Sequence, residues 1–505
     1  MLRPLPLVMA LVLGVSSSAG APALLPVQLQ LFPHAPIAAS KPNEKCDTPM
    51  CLSLLQALDG ARSQIDFAIY GLRGQDEVLT ALVRAQKRGV RVRGVVDADV
   101  DGKNYYADTP KLLQALPGVR TDQAADRRTL ARQQEQDGGK AKAKCVRPEG
   151  HEGPLSCYRA TVGGVRYELG QASEEPIDFE GDIMHHKFFV VDRQIVWTGS
   201  ANISDSDVGG YNANVAALLR GSALAQAYMQ EFEQMYAGRF HREKKSQVRP
   251  AIPLVQGGTA TVLFSPQDGA MKAVVQTLNG ARQNINISVF YLTNKQIATA
   301  LLEARRRKVQ VRLILDATAA RNEYTKHELL RSAGVQVKVE NWGGKMHAKA
   351  ASVDGRHLIF GSMNWTSAGD LRNDENTLIL RDVPQHVRTY DAAFEAMWRS
   401  ISDEWPKANP RPEGTESGYA CRDGIDNDYD GQVDGKDADC RMPPAPSGRA
   451  APQGMNCPPG FPIKGNAGSM IYHLPGGNFY AKTRPEDCFR TMQEARQAGY
   501  RGSAR

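Results

Sequence analysis

The chain has 505 residues, of which 42% are hydrophobic, so it can form a sizeable core and about three domains of ordinary size. Its net charge is +7, but the stretch from Glu413 to Cys440 carries −7, so the remainder carries +14. A basic body favours polyanionic partners such as nucleic acid or an anionic lipid surface, although a scattered, solvated basic surface has the same charge.

The first 21 residues have the pattern of a signal peptide. Arg3 precedes an apolar run from Leu5 to Val15, and small residues follow up to Ala21. The run is too short to cross a bilayer, and no other stretch is long enough for a transmembrane helix. We therefore expect an exported monomer, either periplasmic or extracellular.

The eight cysteines fall into local pairs along the chain, which is typical of disulfides in an oxidising compartment. The pairs are Cys46 with Cys51, Cys145 with Cys157, Cys421 with Cys440, and Cys457 with Cys488. We expect nearest neighbours to be bonded, although the sequence alone does not fix the connectivity, and free buried thiols are the alternative.

A larger internal repeat predicts two similar lobes, at residues 46–240 and 255–402. Leu54–Arg62 matches Val274–Arg282, and each match is followed by an apolar strand, a helix with a basic end and a second strand. Helices that alternate with strands predict an α/β sandwich in each half.

One short motif occurs once in each half, with identical spacing: His-x-Lys, four residues, Asp, six residues, then Gly-Ser-x-Asn. The first copy contains His185, Lys187, Asp192, Ser200 and Asn202. The second copy contains His347, Lys349, Asp354, Ser362 and Asn364. On a strand, residues two apart share a face, so each histidine and its lysine point the same way. An imidazole beside an ammonium group suits a phosphate.

The paired motifs resemble those of the phospholipase D superfamily, and the resemblance extends from about Cys46 to Ser402. It implies two α/β/α sandwich lobes packed about a pseudo-twofold axis, with one active site at the seam. It also implies a phosphodiesterase that needs no metal for catalysis. In this scheme His185 forms a phosphohistidine and His347 protonates the leaving oxygen, then activates water; the two roles could be exchanged.

The same resemblance gives roles to the other motif residues. Lys187 and Lys349, with Asn202 and Asn364, would bind the non-bridging phosphoryl oxygens. The two serines, Ser200 and Ser362, would hold the site together. The aspartates Asp192 and Asp354 belong to the catalytic motif, but they lie beyond the His/Lys pair, so we interpret them as structural or as supports for the catalytic side chains.

The two motifs differ at one position that affects the histidines. Both continue with equal spacing to Asn214 and Asn376, and the family often has a Glu one residue earlier, where it orients an imidazole. The second copy has Glu375, whereas the first has Ala213. We therefore expect only one histidine to have this carboxylate partner, which suits distinct catalytic roles or indicates a weakened first half.

The first lobe is longer than the second by about 57 residues between its second predicted strand and its Gly-Ser pair. We place this insertion around residues 103–160, with a highly charged stretch from Asp126 to Lys144. Because it precedes the first catalytic strand, it is either a lid over the substrate or a surface insertion without a role.

An acidic segment at 419–441 has the pattern of a calcium loop. Its candidate ligands are Asp426, Asp428, Asp430, Gln432, Asp434 and Asp437. The twelfth residue is Asp rather than Glu, and no flanking helices are visible. We predict a structural Ca²⁺ here, with a merely acidic linker as the alternative.

The C-terminal residues 455–505 predict a small module closed by the last cysteine pair. The stretches Lys464–Asn466 and Ile471–Gly477 resemble a module found at the ends of exported bacterial nucleases. A small disulfide-bonded domain of any purpose is the alternative.

The sequence leaves the substrate open. We predict hydrolysis of phospholipids, with a peripheral contact to the membrane, over an exported nuclease that cleaves DNA or RNA. A non-catalytic, polyanion-binding surface protein is the third possibility. Tyr211, Trp342 and Trp365 lie near the motifs, where they could stack on bases, contact lipid or simply belong to the core.

Overall fold

The computed structural model describes residues 25–401 and 449–502, apart from three segments and scattered single positions. The segments are 137–154, 158–166 and 170–181, and the single positions are 40, 100, 101, 103, 248, 321, 323, 341, 468, 476 and 478. The predicted signal peptide and the predicted calcium loop, with all six of its candidate ligands, lie outside the described residues.

The first lobe is built on a seven-stranded mixed sheet with the order β1-β11-β9-β8-β2-β4-β5. Its strands, with two small additional pairs, are β1 (Gln28–His34), β2 (Gln64–Ile69), β3 (Leu72–Arg73), β4 (Arg91–Val96), β5 (Val119–Thr121), β6 (Leu155–Cys157), β7 (Tyr167–Leu169), β8 (Lys187–Val191), β9 (Ile195–Gly199), β10 (Ile203–Ser204) and β11 (Asn214–Arg220). Its helices are α1 (Pro49–Asp59), α2 (Asp76–Lys87), α3 (Thr109–Ala115), α4 (Gln123–Gln136) and α5 (Ser222–Tyr236).

The second lobe repeats this architecture in an eight-stranded sheet with the order β12-β13-β19-β18-β17-β14-β15-β16. Its strands are β12 (Ile252–Pro253), β13 (Thr259–Ser265), β14 (Asn284–Val289), β15 (Gln310–Leu315), β16 (Gln336–Val339), β17 (Lys349–Val353), β18 (His357–Gly361) and β19 (Glu375–Arg381). Its helices are α6 (Ala270–Asn279), α7 (Lys295–Arg306), α8 (Ala317–Ala320), α9 (His327–Ser332), α10 (Ser367–Leu371) and α11 (Pro384–Ser400). The expectation of an α/β chain with two similar sandwich lobes is confirmed.

The extra chain of the first lobe begins later than we predicted. Residues from 104 onward form α3 and β5, which correspond to α9 and β16 of the second lobe. The insertion therefore starts after β5, between Asp122 and Met184, whereas five residues separate Glu340 from Met346. The prediction at 103 was too early because the sequence of this third helix-strand unit is too short and polar to stand out.

The charged stretch that begins at Asp126 is also less independent than we expected. The Asp126 side chain is 4% exposed, and the neighbouring Arg128 binds Glu243, with 2.7 Å between guanidinium nitrogen and carboxylate oxygen. The first turns of α4 therefore belong to the body of the lobe.

The two lobes share a central hydrophobic core in addition to one core each. Helix α5 of the first lobe contacts β13 of the second, and α11 of the second contacts β1 of the first. Phe188, Tyr228 and Phe264 pack ring against ring in this shared core, to which Phe394 also belongs. The reciprocal contacts of α5 and α11 agree with a pseudo-twofold arrangement.

A small five-stranded sheet and one helix form the C-terminal module. Its elements are β20 (Arg449–Ala450), β21 (Ile463–Asn466), β22 (Ile471–His473), β23 (Asp487–Phe489), β24 (Arg501–Gly502) and α12 (Met492–Gln497). Cys457 and Cys488 are bonded in it, and Cys46 and Cys51 are bonded in the first lobe, as predicted. The side chains of the other two predicted pairs lie outside the described part of the chain.

None of the helices between residues 25 and 401 or 449 and 502, in the parts described, combines the length and the apolar character needed to cross a bilayer.

Candidate active site

The two motif histidines precede matching central strands. His185 comes just before β8, which begins at Lys187, and His347 comes just before β17, which begins at Lys349. Each segment is fixed at the seam by the other lobe, because the backbone N–H of His185 donates to the carbonyl of Asp374 and that of His347 donates to the carbonyl of Ala213. The two motifs, which are far apart in the sequence, therefore meet in a single site between the lobes.

The carboxylate partner of His185 comes from the opposite lobe. Glu375 is fully buried, and its Oε1 lies 2.8 Å from Nδ1 of His185. Burial raises the pKa of Glu375 to about 7, against the opposing effect of Lys187. Near neutral pH this carboxyl group is thus poised between its ionised and neutral forms.

His347 has a carboxylate partner as well, which corrects our expectation that only one histidine has one. Oδ1 of Asp207, in the first lobe, lies 3.3 Å from Nδ1 of His347. Burial alone would raise the pKa of Asp207, but His347 and the amide groups of Asn212 and Asn214 outweigh it, so the net shift is downward. Asp207 is therefore a firmly ionised carboxylate at neutral pH.

Asp207 was missed because it does not occupy the position of Glu375. It lies eight residues after Gly199, in a polar loop, where the second lobe has Gly369. A Cβ at Gly369 would approach the carbonyl oxygen of Asn364 to 2.4 Å, so the second lobe has no room for a side chain there. Each lobe consequently supplies the carboxylate of the other lobe's histidine from a different position.

The two motif lysines are buried beside the histidines. Nζ of Lys187 donates to the carbonyl of His185, and Nζ of Lys349 donates to the carbonyl of His347, each at 2.6 Å. Burial lowers the pKa of Lys187 to about 7, and burial together with the charge of Lys187 lowers that of Lys349 to about 7. An anion bound between them would restore their charge.

The pKa of both catalytic histidines is also lowered. Burial is the largest cause for each, and Lys187 and Lys349 add to it by repulsion. Asp207 opposes the effect of burial on His347. The imidazoles are consequently neutral in the free site, which suits a nucleophile, and the ionised Asp207 favours the protonated form at His347.

The serine and asparagine residues of the motifs mainly support other side chains. The hydroxyl of Ser200 donates to Oδ1 of Asn214 at 2.7 Å, and Asn376 donates its backbone N–H to Ser362 at 2.9 Å. Nδ2 of Asn202 donates to Asp207 at 2.6 Å, which fixes the partner of His347. Asn364 lies between β18 and α10, and its predicted contact with phosphate stays a prediction.

The motif aspartates bind backbone groups, in agreement with our interpretation of them as structural residues of the motif. Asp192 follows the far end of β8 and accepts backbone N–H groups of residues 62–64 at 2.7–3.1 Å. Asp354 does the same for residues 282–284. Each carboxylate ties the end of the catalytic strand to the start of its neighbour, and neither touches a catalytic histidine because five strand residues intervene.

Aromatic rings cover the histidines. Tyr70 packs edge-on against His185, with ring centres 5.4 Å apart, and Phe290 packs against His347 at 5.1 Å. Of the aromatic residues that the sequence suggested, Trp365 is only 1% exposed and belongs to the core of the second lobe. Trp342 packs against the shared core.

The sequence model of the family described as "Cardiolipin synthase, PLD-like domain" matches residues 54–236 and 274–398, which is more than half of the chain. Both segments contain one complete His/Lys motif. The chain belongs to the phospholipase D superfamily. Residues 443–502 match a second family, described as ArfC.

Curated phospholipase D relatives match about a quarter of the chain. Mitochondrial cardiolipin hydrolase of Xenopus laevis is 37% identical over 131 residues, which are 26% of this chain and 62% of that protein. Phospholipase D of Rickettsia typhi is 31% identical over 132 residues, which are 26% of this chain and 65% of that protein. The chain spans about three fifths of the length of the curated relatives that it matches.

Two solved phospholipase D-type structures resemble the chain weakly. Phosphatidylserine synthase of Haemophilus influenzae Rd KW20 is 14% identical and covers 75% of this chain and 87% of its own, with a TM-score of 0.48. Nuc of Salmonella typhimurium is 22% identical and covers 28% of this chain and 95% of its own, with a TM-score of 0.28. At these values the likeness carries no information on substrate.

The phospholipase D motifs bring together two imidazoles, two ammonium groups and two carboxylates of unequal acidity. These are the groups that a two-step transfer of a phosphoryl group requires: a nucleophile, a proton carrier and positive charge for the phosphoryl oxygens. In the described residues, the side chains with the chemistry of a metal site are Asp122, Asp126 and His241, and they lie beyond Asp374 rather than among the catalytic groups.

Proposed function

We propose that this protein is a phosphodiesterase that hydrolyses phospholipids through a phosphohistidine on His185. The observation that carries the proposal is the unequal pairing of the two histidines. His185 contacts Glu375, whose pKa is about 7, and His347 contacts Asp207, whose pKa is lowered. A partner that is only partly ionised near neutral pH suits a neutral nucleophile, and a fully ionised partner suits a proton carrier.

In the first step, Nε2 of His185 attacks phosphorus while Glu375 holds the ring through Nδ1. The bond from phosphorus to the leaving oxygen breaks, and His347 gives its proton to that oxygen. Lys187 and Lys349 bind the non-bridging oxygens, where negative charge gathers in the transition state. The binding of the anionic phosphodiester itself raises the pKa of His347 and both lysines, because it brings negative charge next to them.

In the second step, His347 acts as the base. It takes a proton from water, the water oxygen attacks phosphorus, and the bond between phosphorus and Nε2 of His185 breaks. A phosphomonoester leaves, and both histidines return to their starting forms. Asp207 stabilises the imidazolium that forms on His347 in this step, because it is ionised and 3.3 Å away.

The names of the curated relatives favour a lipid substrate, since they are called phospholipase D and cardiolipin hydrolase. One surface feature supports contact with a lipid interface. Tyr105 and Tyr324 lie at corresponding positions, eight residues after Asp97 and Asp316, and are 67% and 54% exposed. Tyr105 lies near the site, because its ring centre is 6.3 Å from that of Tyr70, which packs against His185. Amphipathic aromatic side chains suit the boundary between water and lipid.

A direct comparison of substrates tests this function. The purified protein is incubated in EDTA with vesicles that contain cardiolipin, with phosphatidylcholine vesicles, and with plasmid and single-stranded DNA. We expect phosphatidic acid from the lipid and no nicking of DNA. Cleavage of DNA with no lipid product would show that the alternative, a nuclease of the same superfamily, is right. Binding without turnover on every substrate would contradict an enzyme altogether.

We also propose an oxidising compartment for the protein. The bonded pairs Cys46–Cys51 and Cys457–Cys488 support it, since such bonds persist outside the reducing cytosol. A measurement of the thiol content of the protein isolated from its native cells tests this, and four reactive thiols at these positions would contradict it.

A further inference from the structure

A second cluster of ionisable side chains lies behind the catalytic site. Asp122 follows β5, Asp126 is in the first turn of α4, and His241 begins a short 3-10 turn after α5. All three are buried, with 0%, 4% and 2% of their surface exposed. They are the types that bind transition metals, two carboxylates and an imidazole.

The distances among their polar atoms suit a small dication. Nε2 of His241 lies 3.2 Å from Oδ1 of Asp126 and 3.7 Å from Oδ2 of Asp122. Ligands around a tetrahedral zinc ion, at bond lengths of about 2.0–2.1 Å, are separated by about 3.3 Å. One atom from each residue lies within 4.8 Å of the other two, so a single ion can contact all three.

One carboxylate oxygen of the cluster is buried and faces it. Oδ2 of Asp122 makes no hydrogen bond within the described residues, although its Oδ1 accepts the backbone N–H of Ala98 at 2.7 Å. The ring nitrogens of His241 face carboxylates, Asp126 at Nε2 and Asp374 at Nδ1. Buried polar atoms without partners are rare in proteins, and a bound ion would satisfy Oδ2 of Asp122.

The orientation of His241 is the one seen in metal sites. Its Nδ1 lies 3.0 Å from Oδ2 of Asp374, which leaves Nε2 facing Asp122 and Asp126. Metal-binding histidines usually present their second ring nitrogen to a carboxylate in this way, because it fixes the ring and strengthens the ligand. Asp374 is itself held by Lys244 at 2.7 Å.

The cluster has more negative than positive charge. Asp97, Asp122, Asp126 and Asp374 are all nearly or completely buried, and His241 and Lys244 are the cations that face them. A bound dication would balance these charges.

We propose that Asp122, Asp126 and His241 bind one transition-metal dication, of which Zn²⁺ is the best fit, as a structural site at the seam of the lobes. The three ligands belong to the first lobe, whereas Asp374, which orients His241, belongs to the second. The carbonyl of Asp374 accepts the N–H of His185, and Glu375 follows it directly. The ion would therefore stabilise the backbone segment that carries Glu375, the carboxyl group beside His185.

The second lobe offers a matched control because it has the same local arrangement without the histidine. Glu340 takes the place of Asp122, and its Oε1 accepts the N–H of Ala317 at 2.8 Å. Its neighbour Asp316 takes the place of Asp97. The variant Glu340→Gln removes a buried carboxylate without touching the proposed site.

The test uses the full chain, stripped with EDTA and then titrated with Co²⁺ in excess Ca²⁺, which saturates any calcium loop. We expect one equivalent of Co²⁺ with visible bands typical of nitrogen and oxygen ligands, displaced by Zn²⁺, and a rise of the melting temperature. Asp126→Asn and His241→Gln should each weaken binding by at least about 100-fold, because outer-shell changes alone cost about 10- to 100-fold. Glu340→Gln should bind as the wild type does.

Two results would overturn the proposal. One is the absence of Co²⁺ and Zn²⁺ binding by the wild-type protein. This result would disprove the site even if a variant does not fold. The other is equal binding by wild type, Asp126→Asn and His241→Gln, which would place the ion elsewhere. Neither readout uses turnover, so failure of the proposed phosphodiesterase activity leaves this test intact.

Discussion

Glu375 of the second lobe contacts His185 of the first lobe across the seam, with 2.8 Å between Oε1 and Nδ1. The reverse pairing joins Asp207 of the first lobe to His347 of the second, at 3.3 Å. Neither histidine is oriented by a carboxylate of its own lobe. Assembly of the two lobes is therefore what completes each catalytic imidazole, and the unequal acidity of the two carboxyl groups makes the histidines chemically different.

Replacing Glu375 should weaken the nucleophile without removing it. Glu375→Gln keeps an oxygen that can face Nδ1 of His185 but removes the ionisable group. We expect kcat to fall about 10- to 100-fold, as it does when other carboxylates that orient an imidazole are lost. Steady-state kinetics measure the loss, and Glu340→Gln, which removes a buried carboxyl group that binds the backbone of Ala317, is the control. An unchanged kcat would mean that Glu375 does not act through His185.

Replacing Asp207 should impair proton transfer to the leaving group. Asp207→Asn removes the ionised partner of His347, so the pKa of His347 falls further and less of it carries a proton. An alkyl phosphodiester needs that proton, whereas a p-nitrophenyl ester leaves without it. We expect a loss of about 100-fold or more on the alkyl ester and a much smaller loss on the aryl ester. Equal losses on both would contradict the role of His347 as the acid.

The buried lysines predict how anion binding depends on pH. The pKa of Lys187 and Lys349 is lowered to about 7, so both lose their charge as the pH rises through this value. Sulfate keeps its charge over this range, so its inhibition constant should be flat below pH 7 and should rise above it. The slope should approach about tenfold per pH unit for each lysine that binds the anion. An inhibition constant that stays flat to pH 9 would contradict the lowered pKa values.

In Lys187→Met, sulfate should bind more weakly overall, because one cation is lost. The rise of its inhibition constant should begin at a higher pH than in the wild type, since Lys187 no longer repels the charge on Lys349. A rise that begins at the same pH would mean that the two lysines do not interact.

If the exposed tyrosines contact lipid, their loss should weaken binding to vesicles but should not slow the reaction on a soluble substrate. Tyr105→Ser with Tyr324→Ser should weaken binding to anionic vesicles and raise the apparent KM on vesicles, while kcat/KM on a soluble phosphodiester changes little. Leu52→Ser is the control, since Leu52 is half exposed on helix α1. Equal loss on vesicles and on the soluble ester would place these side chains in the catalytic machinery instead.

The sequence was sufficient to predict the two lobes and to place the four His and Lys side chains of the motifs, because the repeat and the alternation of side chains on β8 and β17 are local properties. It was not sufficient for the partners of the histidines. Glu375 was found, but its contact with His185 depends on how the lobes pack. Asp207 lies in a loop with other polar residues, and the equivalent position of the second lobe is Gly369. A comparison of the two motifs therefore gave no sign that Asp207 is the partner of His347.

The start of the insertion was misplaced for a related reason. Helix α3 and strand β5 are short, and only the pairing of β5 with β4 identifies β5 as part of the sheet. The cluster around His241 was also invisible in the sequence, since Asp122 and His241 are far apart along the chain and meet only when α5 packs on the sheet.

Identification of the phosphorylated residue tests the central claim most directly. The enzyme is mixed with a phosphodiester labelled on its phosphoryl group, quenched in alkali during turnover, digested and mapped by mass spectrometry that separates His185 from the adjacent His186. We predict the labelled phosphoryl group, still carrying its remaining ester chain, on His185 in the wild type, and on the same residue, formed more slowly, in His347→Asn. Phosphate on His347 would reverse the roles of the two histidines, and turnover without phosphate on either residue would contradict the covalent mechanism.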